Sequence, residues 1–350
     1  MSTERNENTN RNTGSAAARR KKRELARRRR RRQYIVMAVL GIAIVALAVV
    51  LVFMIKKGQT TAPAPDTQTQ AQEQTETDTK ESTVTPAEPT KKEPETIELT
   101  ELQMHTGDLI LVNGTYPYDF AANAETVNLV TIDSAKSVDY TVAKAEMQLS
   151  APTIPVLDQM ITDCNAALGV NDTGVTSAYR TKEYQQSVYD EYVESQGEDY
   201  AKAYVATPGY SEHHTGLAMD MGIYYEGGGE GSFSESENAV WFSENSYKYG
   251  FVRRYQEDKT AITKINNEAW HFRYVGIPHA TYMTQQNLCL EEYIDYLRSN
   301  ATKDNPLHVD CQDKSYDIYF TTETTIEKPQ GNYEISGNNV DGYIITVEAA

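Results

Sequence analysis

The chain has 350 residues, 39% hydrophobic and 24% charged, with a formal net charge of −17. That charge is divided: residues 1–57 hold 15 Lys/Arg against 3 Asp/Glu, and the remainder holds 18 against 47. An acidic body of this kind repels phosphate backbones, which excludes nucleic acid as its partner. Three cysteines (Cys164, Cys289 and Cys311) are too few to make a disulfide framework.

Residues 1–33 are arginine-rich and nearly devoid of apolar side chains, and read as a basic cytoplasmic tail. The run "YIVMAVLGIAIVALAVVLVFMI", residues 34–55, is free of charge until Lys56 and Lys57. It is long enough to cross a hydrocarbon core of about 30 Å as a helix, and the positive-inside rule keeps the basic end in the cytoplasm. A cleaved signal peptide has an apolar stretch of about 7–15 residues and a small-residue cleavage site. This run is longer and no such site follows. Residues 56–96 are dominated by Thr, Gln, Glu and Pro and predict a disordered stalk. The expected location is the cell membrane, single-pass, with the remaining residues on the outer side.

Within the exported part, "DLILVN" (108–113) predicts a short apolar strand. Residues 154–168 have apolar positions at helical spacing and end at Gly169, and residues 182–197 repeat that pattern. "GLAMDMGI" (216–223) alternates as a strand does. Residues 225–238 form a glycine- and serine-rich loop, 239–251 a short helix and turn, 269–276 a strand and 279–300 a long helix. Beyond residue 300, "YDIYFT", "NYEIS" and "YIITVEA" predict a small β region over 301–350, after a main domain at 97–300. Helices and strands mix without a βαβ rhythm, which gives the class α+β. Cys164 and Cys289 fall in apolar helical patterns as core residues, and a Cys289–Cys311 bridge is left open.

Zinc catalysis needs about three nitrogen or oxygen ligands and one open coordination position. The segment "YSEHHTGLAMDM" (210–221) offers His213 and Asp220, and "NEAWHFRY" offers Glu268 and His271 about fifty residues on. On a strand over 216–223, Asp220 shares a face with Ala218, opposite Leu217, Met219 and Met221. Glu268 and His271 have opposite strand parity, so a turn is expected between them. The adjacent His213 and His214 point to opposite faces if they lie on a strand.

"SEHHTGLAMD" fits S-x-H-x-x-G-x-A-x-D and "EAWHFR" fits E-x-W-H-x-R. With "SAYRTKEYQ" (177–185) upstream, the order and spacing resemble the VanY-type zinc D-alanyl-D-alanine carboxypeptidases of bacterial cell walls. The likeness runs through most of residues 97–350, including "YKYGFVRRY" and "ISGNNVDGYIITV". It implies a small, mainly antiparallel sheet flanked by helices, of the D,D-peptidase or hedgehog-like kind. It also implies one zinc ion held by His213, Asp220 and His271, with Glu268 as catalytic base. Arg180 becomes the clamp beside the scissile carbonyl, and Ser177, Tyr179, Gln185 and Ser211 contacts for the terminal D-amino acid. The implied substrates are peptidoglycan stem peptides ending in D-Ala-D-Ala. Tetrapeptide stems, as for an L,D-carboxypeptidase, and a non-catalytic wall-binding module are the alternatives. Two departures stand out. His214 replaces a glutamine more usual in the family and is expected at the surface or behind the ligands, and Ala269 replaces a proline.

Overall fold

The computed structural model describes residues 94–349. The expected basic tail, membrane span and nearly all of the stalk lie outside the described residues. Among those described, no helix is long and apolar enough to cross a membrane. In chain order the first half contains β1 (Thr96–Glu98), β2 (Leu129–Thr131), β3 (Thr141–Val142), β4 (Gln148–Ser150), α1 (Thr153–Leu168) and β5 (Thr173–Ser177). There follow α2 (Lys182–Gln196), α3 (Glu198–Tyr204), β6 (Ala218–Tyr224), β7 (Glu230–Gly231), α4 (Glu237–Asn245), β8 (Phe251–Tyr255) and β9 (Glu268–Tyr274). The chain ends with α5 (Ile277–Gln285), α6 (Leu290–Asn300), β10 (Leu307–Cys311), β11 (Lys314–Thr321), β12 (Thr325–Glu327), β13 (Tyr333–Gly337) and β14 (Tyr343–Glu348). The fold is mixed α and β, with small, mainly antiparallel sheets.

The central sheet has the order β3-β5-β6-β9-β8, with β7 hung on β6. Only the β3–β5 pairing in it is parallel. Alternation decides what each face does. Met219, Met221 and Ile223 of β6, Val175 of β5 and Phe272 of β9 pack on Leu157, Met160, Ile161 and Cys164 of α1 and on Phe242 of α4. Burying each large side chain there contributes about 1.5–3 kcal/mol. The opposite face is left to Asp220 and His271. Helix α1 stops where Gly169 takes a left-handed φ of 67°, a conformation that costs a residue with a Cβ.

A second core joins Leu109, Leu111, Val275, Met283, Leu290, Tyr293, Ile294 and Leu297 to Val309, Ile318 and Ile344. The sheet β10-β11-β14-β13 therefore shares its interior with α5 and α6. Sequence 225–238 forms a turn closed by the Tyr225 N–H on Gly229 O, then β7 and a single 3-10 turn.

Three expectations are corrected here, and one open question is closed. Residues 108–113 do not form a strand, although Leu109, Ile110, Leu111 and Val112 are buried as a strand's would be. Their backbone is satisfied otherwise. Asp108 O and Ile110 O accept from the Arg273 guanidinium at 2.9 and 3.0 Å. Leu109 N–H donates to Ser336 Oγ, and Leu111 O accepts from Asn339 Nδ2. The helix expected over 279–300 is two helices, broken where Asn287 takes φ 52°, and Glu292 Oε2 caps the Cys289 N–H at 3.0 Å. No turn separates Glu268 from His271. Strand β9 is continuous, with a register irregularity against β8 where Arg253 pairs with Phe272 but Tyr255 with Glu268, and Glu268 and His271 line the same cavity. Finally, Cys289 and Cys311 do not pair, since all three cysteines are free thiols in buried positions.

Candidate metal centre

Ser211 Oγ accepts the His213 N–H at 3.3 Å and caps a 3-10 turn over Glu212–Thr215. Gly216, at φ 69°, then swings the chain into β6, and a Cβ there would lie 2.6 Å from Leu129. The turn, rather than a strand, sends the two adjacent histidines apart. His213 Nδ1 lies 2.7 Å from Ala178 O, an atom that only accepts, so Nδ1 carries the hydrogen and Nε2 faces Asp220 Oδ2 at 3.4 Å. His214 is not at the surface; its exposure is 0%. Its Nδ1 donates to Arg180 O at 2.7 Å and its Nε2 accepts from the Gly209 N–H at 3.0 Å. With both ring nitrogens engaged, it secures the backbone beneath Arg180.

The β6–β9 register sets Asp220 directly opposite His271, with Oδ1 and Nδ1 3.0 Å apart. A bulge between Val175 and Ser177 brings Ser177 opposite Asp220 from the other side. The Arg180 fork joins these elements. Its Nε donates to Ser177 Oγ (2.9 Å), its Nη1 to Gln185 Oε1 (3.2 Å) and its Nη2 to Asp220 Oδ2 (2.8 Å). Gln185 is buried and also donates to Ala206 O at 2.7 Å, so its amide serves to hold the arginine. Glu268 Oε2 is 3.9 Å from His271 Nδ1. All nine residues singled out in the sequence line one cavity of about 680 Å³, with Tyr192, Tyr255 and Trp270 also on its walls.

Burial and mutual contacts set the charge of each lining group. Burial pushes the Glu268 carboxyl up to about 8; Asp220 and Glu212 add to this while His271 and Arg180 oppose it. Burial pushes His213 down to about 4, helped by Arg180. His271 goes the other way, to about 9, because its contacts with Asp220 and Glu212 outweigh burial. Burial also opposes charge on Asp220, yet His213, His271 and Arg180 hold it well below the usual carboxylate range. His213 is thus held neutral and Asp220 ionised, the forms in which an imidazole and a carboxylate can donate to a cation. His213, Asp220 and His271 each offer one donor atom, all within 4.8 Å of one another. Two imidazoles and a carboxylate are a donor set suited to zinc and to other divalent ions.

Sequence reasoning passed over Glu212. Its side chain is fully buried, with Oε1 accepting from Arg254 Nε at 2.8 Å and Arg273 Nη1 at 3.0 Å. Arg254 in turn forks onto Glu291 at 2.9 and 2.7 Å. The available signal was the charge inside the strand-like stretches "FVRRY" and "HFRY", because a buried charge demands a partner.

The VanY family model, described as D-alanyl-D-alanine carboxypeptidase, matches residues 146–277. A D-alanyl-D-alanine carboxypeptidase of Enterococcus faecium is 37% identical over 257 residues, 71% of this chain and 78% of that protein. This chain belongs to the VanY-type D-alanyl-D-alanine carboxypeptidase family. A bifunctional D-Ala-D-Ala dipeptidase and carboxypeptidase, VanXYC of Enterococcus gallinarum, is 42% identical over 129 residues, covering 36% of this chain and 68% of that protein. Among solved structures, the vancomycin-resistance D,D-dipeptidase VanXYg, in complex with a D-Ala-D-Ala phosphinate analog, superposes with a TM-score of 0.64. The two are 31% identical, with 73% of this chain and 99% of that chain covered.

Proposed function

We propose that this family member is a zinc-dependent carboxypeptidase that removes the C-terminal D-alanine from peptidoglycan stem peptides ending in D-Ala-D-Ala. The observation that carries the reading is the convergence of His213, Asp220 and His271 donors within 4.8 Å, with Glu268 3.9 Å from His271, on one cavity. In support, the E. faecium relative is named for that activity, and the VanXYg structure holds an analogue of the same dipeptide.

His213 through Nε2, Asp220, and His271 through Nδ1 would hold one zinc ion. When bound, zinc supplies a Lewis acid that activates water and polarises the scissile carbonyl. The protein's own groups do the rest. Glu268 accepts the proton of the attacking water at its carboxylate and returns it to the leaving amine. Arg180, oriented by Ser177 and Gln185, stabilises negative charge developing on the carbonyl oxygen or grips the terminal carboxylate in a bidentate fork. Tyr179 and Ser211 line the cavity where the terminal D-amino acid would sit. The uncharged run at 34–55 would anchor the chain in the cell membrane with this site outside, which protease accessibility on intact cells tests.

The deciding experiment offers the protein a stem pentapeptide ending in D-Ala-D-Ala and, separately, the matching tetrapeptide, and follows free D-alanine. Release from the pentapeptide, abolished by a chelator, supports the proposal. Release mainly from the tetrapeptide moves the assignment to an L,D-carboxypeptidase, and release from neither overturns the exopeptidase reading.

A further inference from the structure

Two histidines meet at the centre, and they are held by opposite ring nitrogens with different partners behind them. His213 is braced at Nδ1 by a neutral backbone carbonyl, Ala178 O at 2.7 Å. His271 is bracketed by two carboxylates: Asp220 Oδ1 at 3.0 Å from Nδ1 and Glu212 Oε2 at 3.3 Å from Nε2. We propose that Glu212 is a positioning residue for the metal centre: its Oε2 takes the Nε2–H of His271 and thereby leaves Nδ1 as the atom that can bind a cation. This rests on the metal-site reading above and extends it to a residue outside the ligand set.

Three features separate this from an ordinary buried ion pair. First, the two oxygens of Glu212 have different duties. Oε1 accepts from both Arg254 Nε (2.8 Å) and Arg273 Nη1 (3.0 Å), while Oε2 faces His271. A carboxylate flanked by two guanidinium groups is an acceptor only, so the proton between Oε2 and Nε2 belongs to the ring.

Second, Glu212 cannot drift. The side chains of Glu212, Arg254 and Arg273 all have 0% exposure. Arg254 is fixed by its bidentate contact with Glu291 at the start of α6. Arg273 is fixed by the carbonyls of Asp108 and Ile110 and, through Nε, by that of Tyr274. The segment that failed to form a strand at 108–113 thus helps to aim a ligand.

Third, the partner is local to one histidine. His213 has no carboxylate behind it, so loss of Glu212 should act on His271 alone. Where a carboxylate or carbonyl holds the outer nitrogen of a ligand histidine, removing it usually costs about 10–100-fold in metal affinity.

Glu212→Gln makes a pointed test. Its amide oxygen will be drawn to the two arginines, which turns the NH₂ towards Nε2 of His271. That nitrogen must then accept, and the hydrogen moves to Nδ1, the atom meant for the metal. Zinc affinity of the otherwise folded variant should fall about 10–100-fold, and Glu212→Asp, which keeps a carboxylate, should recover part of the loss.

Because the glutamine variant is at risk of misfolding, the wild-type protein supplies an independent readout. Loaded with ¹¹³Cd and labelled with ¹⁵N-histidine, it should show coupling of the metal to Nδ1 of His271 and Nε2 of His213, with a retained hydrogen on Nε2 of His271. Coupling to Nε2 of His271 overturns the proposal, as does a folded Glu212→Gln variant that binds zinc as tightly as wild type. Wild-type protein that binds neither zinc nor cadmium overturns the metal-site reading itself and this inference with it.

Discussion

Asp220 and His271 face each other across the β6–β9 ladder, Oδ1 to Nδ1 at 3.0 Å. Their meeting is set by strand register and not by a loop that must close. Metal binding should therefore stabilise a site already formed. Zinc at a hundred times its dissociation constant should add about 2.7 kcal/mol to the unfolding free energy. Asp220→Asn should abolish that gain while leaving the circular dichroism spectrum unchanged. Thermal denaturation with and without zinc measures both.

Glu268 lines the same cavity, and its Oε2 is 3.9 Å from His271 Nδ1. A base removed from its post typically costs about 10²–10⁴ in rate. Glu268→Gln should thus lower kcat by that order while zinc affinity stays within a few-fold of wild type. Parallel loss of metal would instead make Glu268 a ligand. Calorimetric titration alongside D-alanine release separates the two.

Arg254 has no exposure in its side chain and touches Glu212 and Glu291. Arg254→Met leaves Glu212 with Arg273 as its remaining arginine partner and Glu291 without its fork. Breaking a buried pair in this way usually costs about 3–5 kcal/mol. Urea unfolding should show a loss of that size, and a change under about 1 kcal/mol would mean that the network is not worth what its burial implies.

Much of what converges on the cavity was legible because those residues sit in short motifs. His213, Asp220, Glu268 and His271 sit in two segments, and period-2 alternation correctly turned Met219 and Met221 inward and Asp220 outward. What escaped was long-range. Glu212 occupies an unspecified position of its motif, and its meaning comes from arginines forty and more residues away. Residues 108–113 have a strand's composition, but their carbonyls bond to Arg273 and Asn339 side chains. The β8–β9 register irregularity and the break at Asn287 are local backbone events that hydrophobic spacing does not register.

His279 gives a pH signature remote from the centre. It is buried with Nδ1 against Tyr293 Oη at 2.8 Å and Nε2 against Thr346 Oγ1 at 3.1 Å, and burial pushes its pKa from 6.5 down to about 3. The folded state thus keeps His279 neutral where the unfolded chain takes up a proton. Its contribution is complete above about pH 6.5 and is lost as pH falls towards 3, at about 1.4 kcal/mol per pH unit. His279→Gln should flatten the stability curve between pH 6 and pH 4. Superimposable slopes for variant and wild type would refute the assignment.

The central claim is that one zinc ion on His213, Asp220 and His271 makes this protein a D-Ala-D-Ala carboxypeptidase. Its most direct test titrates chelator-treated protein with zinc while D-alanine release from a stem pentapeptide is followed. Activity should rise from baseline, saturate at one zinc per chain and be absent at every zinc concentration in Asp220→Ala. Full activity in the chelator-treated protein, or equal recovery by the alanine variant, would contradict it.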